Sequence, residues 1–321
     1  MQGDQTTSSL LVADVGGTNT RVALASEEGL RADTISRFRN SEYSSLEEVL
    51  KTYLGQQGPL SLSSAAVAVA GPVQDGRGEL TNFDWSFDEP SLARATGASR
   101  VAVLNDLQAQ GFALDHLDGS QTRTVVSGPV PPKNSPCLVV GVGTGFNASP
   151  VHQTNSRLHV PPSETGHTNL PVIDTDDVDL WRWINKEHGF PEVEDVLSGR
   201  GLENVYRWRC QVLGTPGDKT AAEIVKTCES GNDPAAIETV GVFVRILGAV
   251  CGNLSLIHLP FGGVFLVGGV ARAIAPHLTT HDFADAYRNK GRFAEFMENF
   301  SVNVVEDDYA ALLGLAAYLE S

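Results

Sequence analysis

Short aliphatic runs closed by glycine bends set the rhythm of the chain. Leu10 to Val15 is aliphatic and β-branched except at Asp14, the pattern of a buried strand, and Gly16-Gly17 ends it. Thr20 to Ala25 resumes strand character, so the two runs make a hairpin. Helical spacing follows: Leu46, Val49, Leu50, Tyr53 and Leu54 come after the capping box Ser45-Leu-Glu-Glu48 and predict a helix over 45–57. Ala65 to Ala70 reads as a buried strand ending at Gly71-Pro72, with Asp75-Gly76 as a hairpin turn. Arg100 to Leu104 is a further strand, feeding a helix over 107–114. Beyond the proline-rich loop Pro129 to Ser135 the alternation continues. Strands are predicted over 137–142, 264–267 and 301–305, and helices over 174–188, 202–213, 220–230, 234–259 and 307–319.

This order predicts an α/β fold with mixed sheets, and 321 residues suit two lobes better than one core. The most apolar stretch, Val240 to Leu259, is interrupted by Arg245, Asn253 and Ser255, which argues for a buried helix rather than a membrane span. Lys and Arg number 23 against 39 Asp and Glu, a net charge of −16 with no basic cluster. Nucleic acid and acidic membranes both need a basic footprint and are therefore poor partners. The four cysteines, Cys137, Cys210, Cys228 and Cys251, lie far apart with no Cys-x-x-Cys pair. Neither a zinc knuckle nor a disulfide framework is indicated, and a reducing compartment is expected. Met1 to Ser9 lacks the basic start and apolar core of a signal peptide, so a cytoplasmic location is expected.

Candidate chemistry gathers at the glycine bends. Two glycines at a hairpin tip let backbone N–H groups approach an anion, and Thr18 adds a hydroxyl donor. Asp14 stands just before them, suited to a hydrated divalent cation. A second bend, Gly141-Val-Gly-Thr-Gly-Phe146, is not a dinucleotide fingerprint, because Phe146 stands where the last glycine should be. A Gly-Lys-Ser/Thr loop occurs nowhere. The third bend, Gly268-Gly269, closes the apolar run from Val264. Asn105-Asp106 ends a strand and opens a helix, where open α/β folds place their chemistry and where Asp is also a common helix cap. Glu164 and His167, three residues apart across Gly166, have the donor and acceptor capacity to grip adjacent sugar hydroxyls. Trp85 reads more simply as a core aromatic than as a sugar platform.

The string Asp14-Val-Gly-Gly-Thr-Asn-Thr-Arg21 resembles the first phosphate loop of sugar kinases with the actin and hexokinase fold, in particular bacterial glucokinases. Asn105-Asp106, the second and third glycine bends, Pro162-Ser-Glu-Thr-Gly-His167 and Glu194-Asp-Val-Leu-Ser-Gly199 extend the likeness nearly end to end. It implies a two-lobed, ribonuclease H-like α/β fold, each lobe a mixed sheet flanked by helices. The small lobe would be 1–110 plus 307–321 and the large lobe 111–306, closing over ATP and glucose for phosphoryl transfer to the 6-hydroxyl. Asp106 is implied as general base and Asn105 as a sugar contact, with Glu164, His167 and Glu194 reading other hydroxyls. Glu192 is an adjacent alternative to Glu194. Gly16, Gly17, Thr18, Asn19, Gly143, Thr144, Gly145, Gly268 and Gly269 would bind ATP, and Asp14 would hold Mg2+ through water. Gly71-Pro72 and Thr81-Asn-Phe-Asp-Trp85 correspond to a loop closing near the sugar.

Departures are Asn147, Ser163 and Thr165, each standing where relatives commonly carry glycine or a small residue, which puts the shape of those loops in question. No cysteine lies between Cys137 and Cys210, so the zinc-binding cysteine cluster of some relatives is absent and a structural zinc is not expected. Relatives are commonly dimers, and a homodimer is expected. Mannose, fructose or an N-acetyl amino sugar are alternative substrates. A sugar-responsive regulator would need a DNA-binding helix-turn-helix ahead of Leu10, and an actin-like filament would not need Glu164, His167 and Glu194.

Overall fold

The structure, a computed structural model, describes residues 9–26, 29–80, 83–154 and 157–321. Thr81 and Asn82 of the expected sugar-side loop, and the polar start through Ser8, lie outside the described residues. The chain divides into two compact units, Met1–Leu117 with Asp307–Ser321, and Asp118–Glu306.

In the first unit β1 (Ser9–Val15) and β2 (Asn19–Ser26) form the antiparallel hairpin, edged by β3 (Gly29–Leu30) and β4 (Ser36–Arg39). Helix α1 (Leu46–Gln57) begins at Ser45, whose hydroxyl accepts from the Glu48 N–H. The Glu48 carboxylate reaches back to the N–H and hydroxyl of Ser44, one residue earlier than a capping box requires. The helix buries Leu46, Val49, Leu50 and Tyr53 and crosses to β5 (Leu62–Val69), parallel to β1. A three-stranded sheet follows, β6 (Val73–Gln74), β7 (Arg77–Leu80) and β8 (Trp85–Asp88). Its first turn is Asp75-Gly76, both with positive φ (51° and 72°), the backbone a two-residue hairpin loop needs. Trp85 is buried in the core. Helix α2 (Glu89–Thr96) then leads to β9 (Arg100–Asn105), parallel to β5, and to α3 (Asp106–Ala113).

In the second unit β10 (Thr122–Val126), β11 (Cys137–Val142), β12 (Phe146–Thr154) and β13 (Arg157–His159) precede α4 (Thr175–His188), α5 (Gly199–Leu213), α6 (Ala221–Ser230) and α7 (Pro234–His258). Then come β14 (Gly263–Val267), α8 (Gly269–Leu278), α9 (Phe283–Arg288) and β15 (Val302–Val305). The six strands pair in the order β10-β15-β14-β11-β12-β13. Both units thus share one sheet design: an antiparallel hairpin (β1–β2, β11–β12) whose first strand has two successive parallel neighbours (β5 and β9, β14 and β15).

Helix α7 is the one described helix long and apolar enough to cross a membrane by length and composition, and two-thirds of that stretch (67%) is buried against the unit. Its Arg245 is no anomaly. The guanidinium grips buried Asp177 through two bonds of 2.9 and 2.6 Å and Asp174 at 3.0 Å, so the charge inside an apolar helix is matched.

The chain finally returns to the first unit as α10 (Ala310–Glu320), which packs on α3 and across β1 and β5. Gly314 sits so close to α3 that a Cβ there would lie 1.8 Å from the Ala109 carbonyl oxygen. Phe112 and Tyr318 meet edge to face at 5.1 Å, and Arg100 donates to the Leu319 carbonyl at 3.1 Å. Helix α3 packs on α10, and the first unit runs to Leu117, seven residues past the position 110 expected from sequence.

Candidate active site

One edge of the first sheet carries the candidate residues of that unit. Register places Val15, Val69 and Asn105 in one row across β1, β5 and β9. Strands lie about 4.8 Å apart, so the glycine bend after β1 and the Asn-Asp pair after β9 are roughly 10 Å apart on the same edge. The bend is tied to the sheet by the Gly16 N–H donating to the Asn19 carbonyl at 3.0 Å, and Thr18 is exposed at the tip.

Asn40, fully buried, locks this bend, and the sequence patterns did not reveal it. Its side-chain N–H donates to the Gly16 carbonyl (2.8 Å), its backbone N–H to the Thr18 carbonyl (3.0 Å), and its Oδ1 accepts from the Thr20 hydroxyl (2.9 Å). No periodicity marks an isolated asparagine in a short 3-10 turn, so only three-dimensional pairing exposes the role. Replacing Asn40 with Ala leaves a buried carbonyl and hydroxyl unpaired and is expected to cost about 1–3 kcal/mol of stability. If the bend receives phosphates, as the resemblance implies, the same change is expected to raise the KM for ATP while that for glucose stays within about twofold, and steady-state kinetics with either substrate varied checks this.

Asp14 lies directly opposite Arg21 in the hairpin, and the Arg21 Nη1 donates to its Oδ2 at 3.2 Å. Burial pushes the Asp14 carboxyl up in pKa, against the pull of Arg21. Asn105, rather than Asp106, caps α3. The Asn105 Oδ1 accepts from the Leu107 N–H (2.9 Å), its own N–H donates to Gln108 Oε1 (3.1 Å), and its Nδ2 donates to the Gly71 carbonyl (3.0 Å). Asp106 is the first residue of the helix, half-buried, with Oδ1 accepting from the Leu107 N–H at 2.8 Å.

In the second unit the other two glycine bends come together. The Gly143 N–H closes on the Gly145 carbonyl (2.9 Å), and the Gly199 N–H at the start of α5 donates to the Gly143 carbonyl (2.8 Å). A Cβ on Gly199 would lie 3.7 Å from Val270 and 4.0 Å from Ala221, so α5, α6 and α8 all begin beside this bend. Gly268 has φ +105° and would strike the Val142 carbonyl at 2.5 Å if it carried a Cβ. Three helix starts gathered beside one glycine turn have the chemistry to receive anionic groups.

The loop that carries Glu164 and His167 hangs on the same hairpin. A Cβ on Gly166 would be 2.1 Å from the Phe146 carbonyl oxygen, so only glycine lets Glu164 to His167 lie against β12. Asn147, whose presence left this region in question, proves to be its clamp. Its Nδ2 donates to the Ser163 carbonyl and its Oδ1 accepts from the Thr165 N–H at 2.9 Å. The hydroxyls of Ser163 and Thr165 bond each other at 2.6 Å.

The two neighbouring glutamates divide their work. Glu194 braces the second glycine bend, with Oε2 accepting from the Phe146 N–H at 2.9 Å and Oε1 paired with Arg200 at 3.0 Å. Glu192 instead bonds His167 Nδ1 at 3.0 Å, and Glu164 stands 3.9 Å from His167 Nε2. The Glu192 bond is the main reason the His167 pKa is raised from its ordinary 6.5, with smaller help from the charges of Glu194 and Glu164 against partial burial.

The sign of the effect follows. A raised folded-state pKa means the Glu192 contact contributes in full below about 6.5 and fades as pH rises through the higher folded value. Replacing Glu192 with Gln is expected to move the His167 titration midpoint down toward 6.5 in proton NMR, and an unmoved midpoint would assign the raised value to another group.

Two sheets of one design, each ending its hairpin in a glycine bend, mark the two-lobed actin- and hexokinase-like fold, the fold of the sugar kinases. Comparison with known proteins narrows the class. A family model described as Glucokinase matches residues 11–321. A glucokinase of Sinorhizobium fredii is 32% identical over 96% of this chain and 91% of its own. The crystal structure of a glucokinase from an Antarctic psychrotroph superposes with a TM-score of 0.85 at 30% identity, covering 97% of this chain and 98% of that one. A Balamuthia mandrillaris glucokinase solved in complex with glucose reaches a TM-score of 0.82 at 19% identity, with 99% and 95% covered. The chain belongs to the glucokinase family, and its reaction is the ATP-dependent phosphorylation of glucose.

Proposed function

We propose that this chain transfers the γ-phosphoryl group of ATP to the 6-hydroxyl of glucose with Asp106 as the general base. The observation that supports it best is the place of Asp106: it is half-buried and opens α3 on the same sheet edge as the first glycine bend, directly after Asn105. Its carboxylate accepts the hydroxyl proton as the oxygen attacks phosphorus, and Asn105 orients the sugar.

His167 held by Glu192 presents Nε2 to a sugar hydroxyl, and exposed Glu164 accepts from its neighbour. Glu194 adds a third contact through the oxygen now paired with exposed Arg200, a surface pair that a sugar hydroxyl can replace at little cost. The glycine bends, with Thr18 and Thr144 exposed at their tips, receive the phosphates. Asp14 fits a hydrated magnesium ion, because its buried carboxylate gains from more positive charge than Arg21 alone supplies. Magnesium, when bound, offsets the charge of the transferring phosphates.

A coupled ADP-release assay over glucose, mannose, fructose and N-acetylglucosamine tests the reading. Glucose is expected to give a kcat/KM at least about tenfold above the others, since hydrogen-bonding sites reject a misplaced hydroxyl strongly. A faster rate with any other sugar would reassign the substrate.

A further inference from the structure

Among the described residues one group of side chains has the chemistry of a metal site, and it takes no part in the proposed phosphoryl transfer. Cys228 near the end of α6, His277 at the end of α8 and His281 one turn beyond bring one ligand atom each to within 4.8 Å of one another. Cys228 and His277 are buried and His281 is half-buried. The Cys228 sulfur lies 4.0 Å from His277 Nδ1, and the two imidazole centroids are 5.9 Å apart. Their spacing is fixed by the backbone, because the His281 N–H donates to the His277 carbonyl at 3.0 Å.

His277 is 92% buried, and its Nε2 has no hydrogen-bond partner. The Nδ1 faces the Cys228 sulfur, and a buried Nε2 without a partner is uncommon in a folded protein. Glu229 adds negative charge close enough to act on both Cys228 and His277.

We infer that Cys228, His277 and His281 form a binding site for one zinc ion, with the fourth position open to water. One thiolate and two imidazoles match the preference of zinc for sulfur and nitrogen, and exclude magnesium and calcium, which take oxygen. Bond lengths of about 2.0–2.3 Å place tetrahedral ligand atoms roughly 3.3–3.6 Å apart, so the cluster needs to contract by about an ångström. Binding displaces the Cys228 thiol proton to solvent. This site is unrelated to the cysteine cluster whose absence argued against zinc.

The position gives the ion a task. Helices α6 and α8 begin side by side at the second glycine bend, where Ala221 and Val270 flank Gly199. Cys228 and His277 each lie seven residues further along, roughly 10 Å down the two helices. Zinc therefore ties the far ends of the two helices whose near ends frame the candidate nucleotide turns.

The test uses the whole chain, stripped with a chelator and titrated with Zn2+ and then with Co2+ as a visible reporter. One equivalent is expected to bind, raising the melting temperature, and the cobalt form is expected to show thiolate-to-metal charge-transfer absorption. Cys228→Ser should abolish that band, and Cys228→Ser and His281→Gln should each weaken affinity at least about tenfold. His281 is half-buried, so its variant keeps the fold and isolates the ligand effect. Less than half an equivalent bound, or the same affinity in both variants, would overturn the inference. Each of these readouts is independent of sugar phosphorylation.

Discussion

Asp106→Ala is expected to lower kcat by about 10²- to 10⁴-fold, the range a positioned general base contributes. The loss should fall on turnover and spare glucose binding, because Asn105 and the second-unit loop carry the sugar contacts assigned above. The Asn105 cap, with its bonds to Leu107, Gln108 and Gly71, survives the change, while the Asp106 bond to the Leu107 N–H is lost, so a melting curve accompanies the kinetics. Asp106→Asn is the sharper variant. It keeps size and hydrogen bonding but cannot accept a proton, so it should be as slow as the alanine form. Coupled ADP release measures turnover, and calorimetric titration with glucose measures binding. Turnover within about tenfold of wild type in both variants would remove Asp106 from proton transfer.

Gly314→Ala should be the most disruptive conservative change in the first unit. The new methyl group would lie 1.8 Å from the Ala109 carbonyl oxygen and 2.8 Å from the Ala113 nitrogen, so α10 must lift off α3. Backbone cannot yield as a flexible side chain does. A loss of about 3 kcal/mol or more is expected, or a melting temperature roughly 10 °C lower. Gly55→Ala is the matched control, since a Cβ at that helical glycine meets nothing within 4 Å and alanine favours the helix. Equal melting temperatures for the two variants would show that α3 and α10 can separate without penalty. Because Asp106 opens α3, Gly314→Ala should also slow turnover in the fraction that stays folded.

Much of this was legible in the chain because local and tertiary demands agree. The hairpin over 9–26 was visible since its strands are aliphatic and its bend is two glycines, and the capped helices over 46–57, 175–188 and 221–230 since their caps are Ser45, Asp174 and Thr220. Helix α5 starts at Gly199, three residues ahead of its apolar pattern, because Ser198 caps it and two glycines open it.

Three pieces had no such signature. Strand β12 extends through Pro150 and ends in His-Gln-Thr, so its period-2 alternation is lost. Strand β10 is mostly solvent-facing, and α9 is six residues long. At the candidate site, the positions of the glycine bends and of Asn105-Asp106 at strand ends were legible in the sequence, whereas Asn40, Asn147 and Glu192 act through partners 16 to 25 residues away. Pairing over that distance leaves no mark on spacing.

Helix α10 has a bearing on biogenesis. Because α10 is translated after the whole of 118–306, the β1–β5 surface and the inner side of α3 have no cover while the ribosome makes the second unit. The second unit is one uninterrupted stretch that can mature as soon as it emerges, and the earlier-made unit must wait for it. Nascent chains should therefore acquire protease resistance in the reverse of their order of synthesis, with the edge that bears Asp106 the last to consolidate.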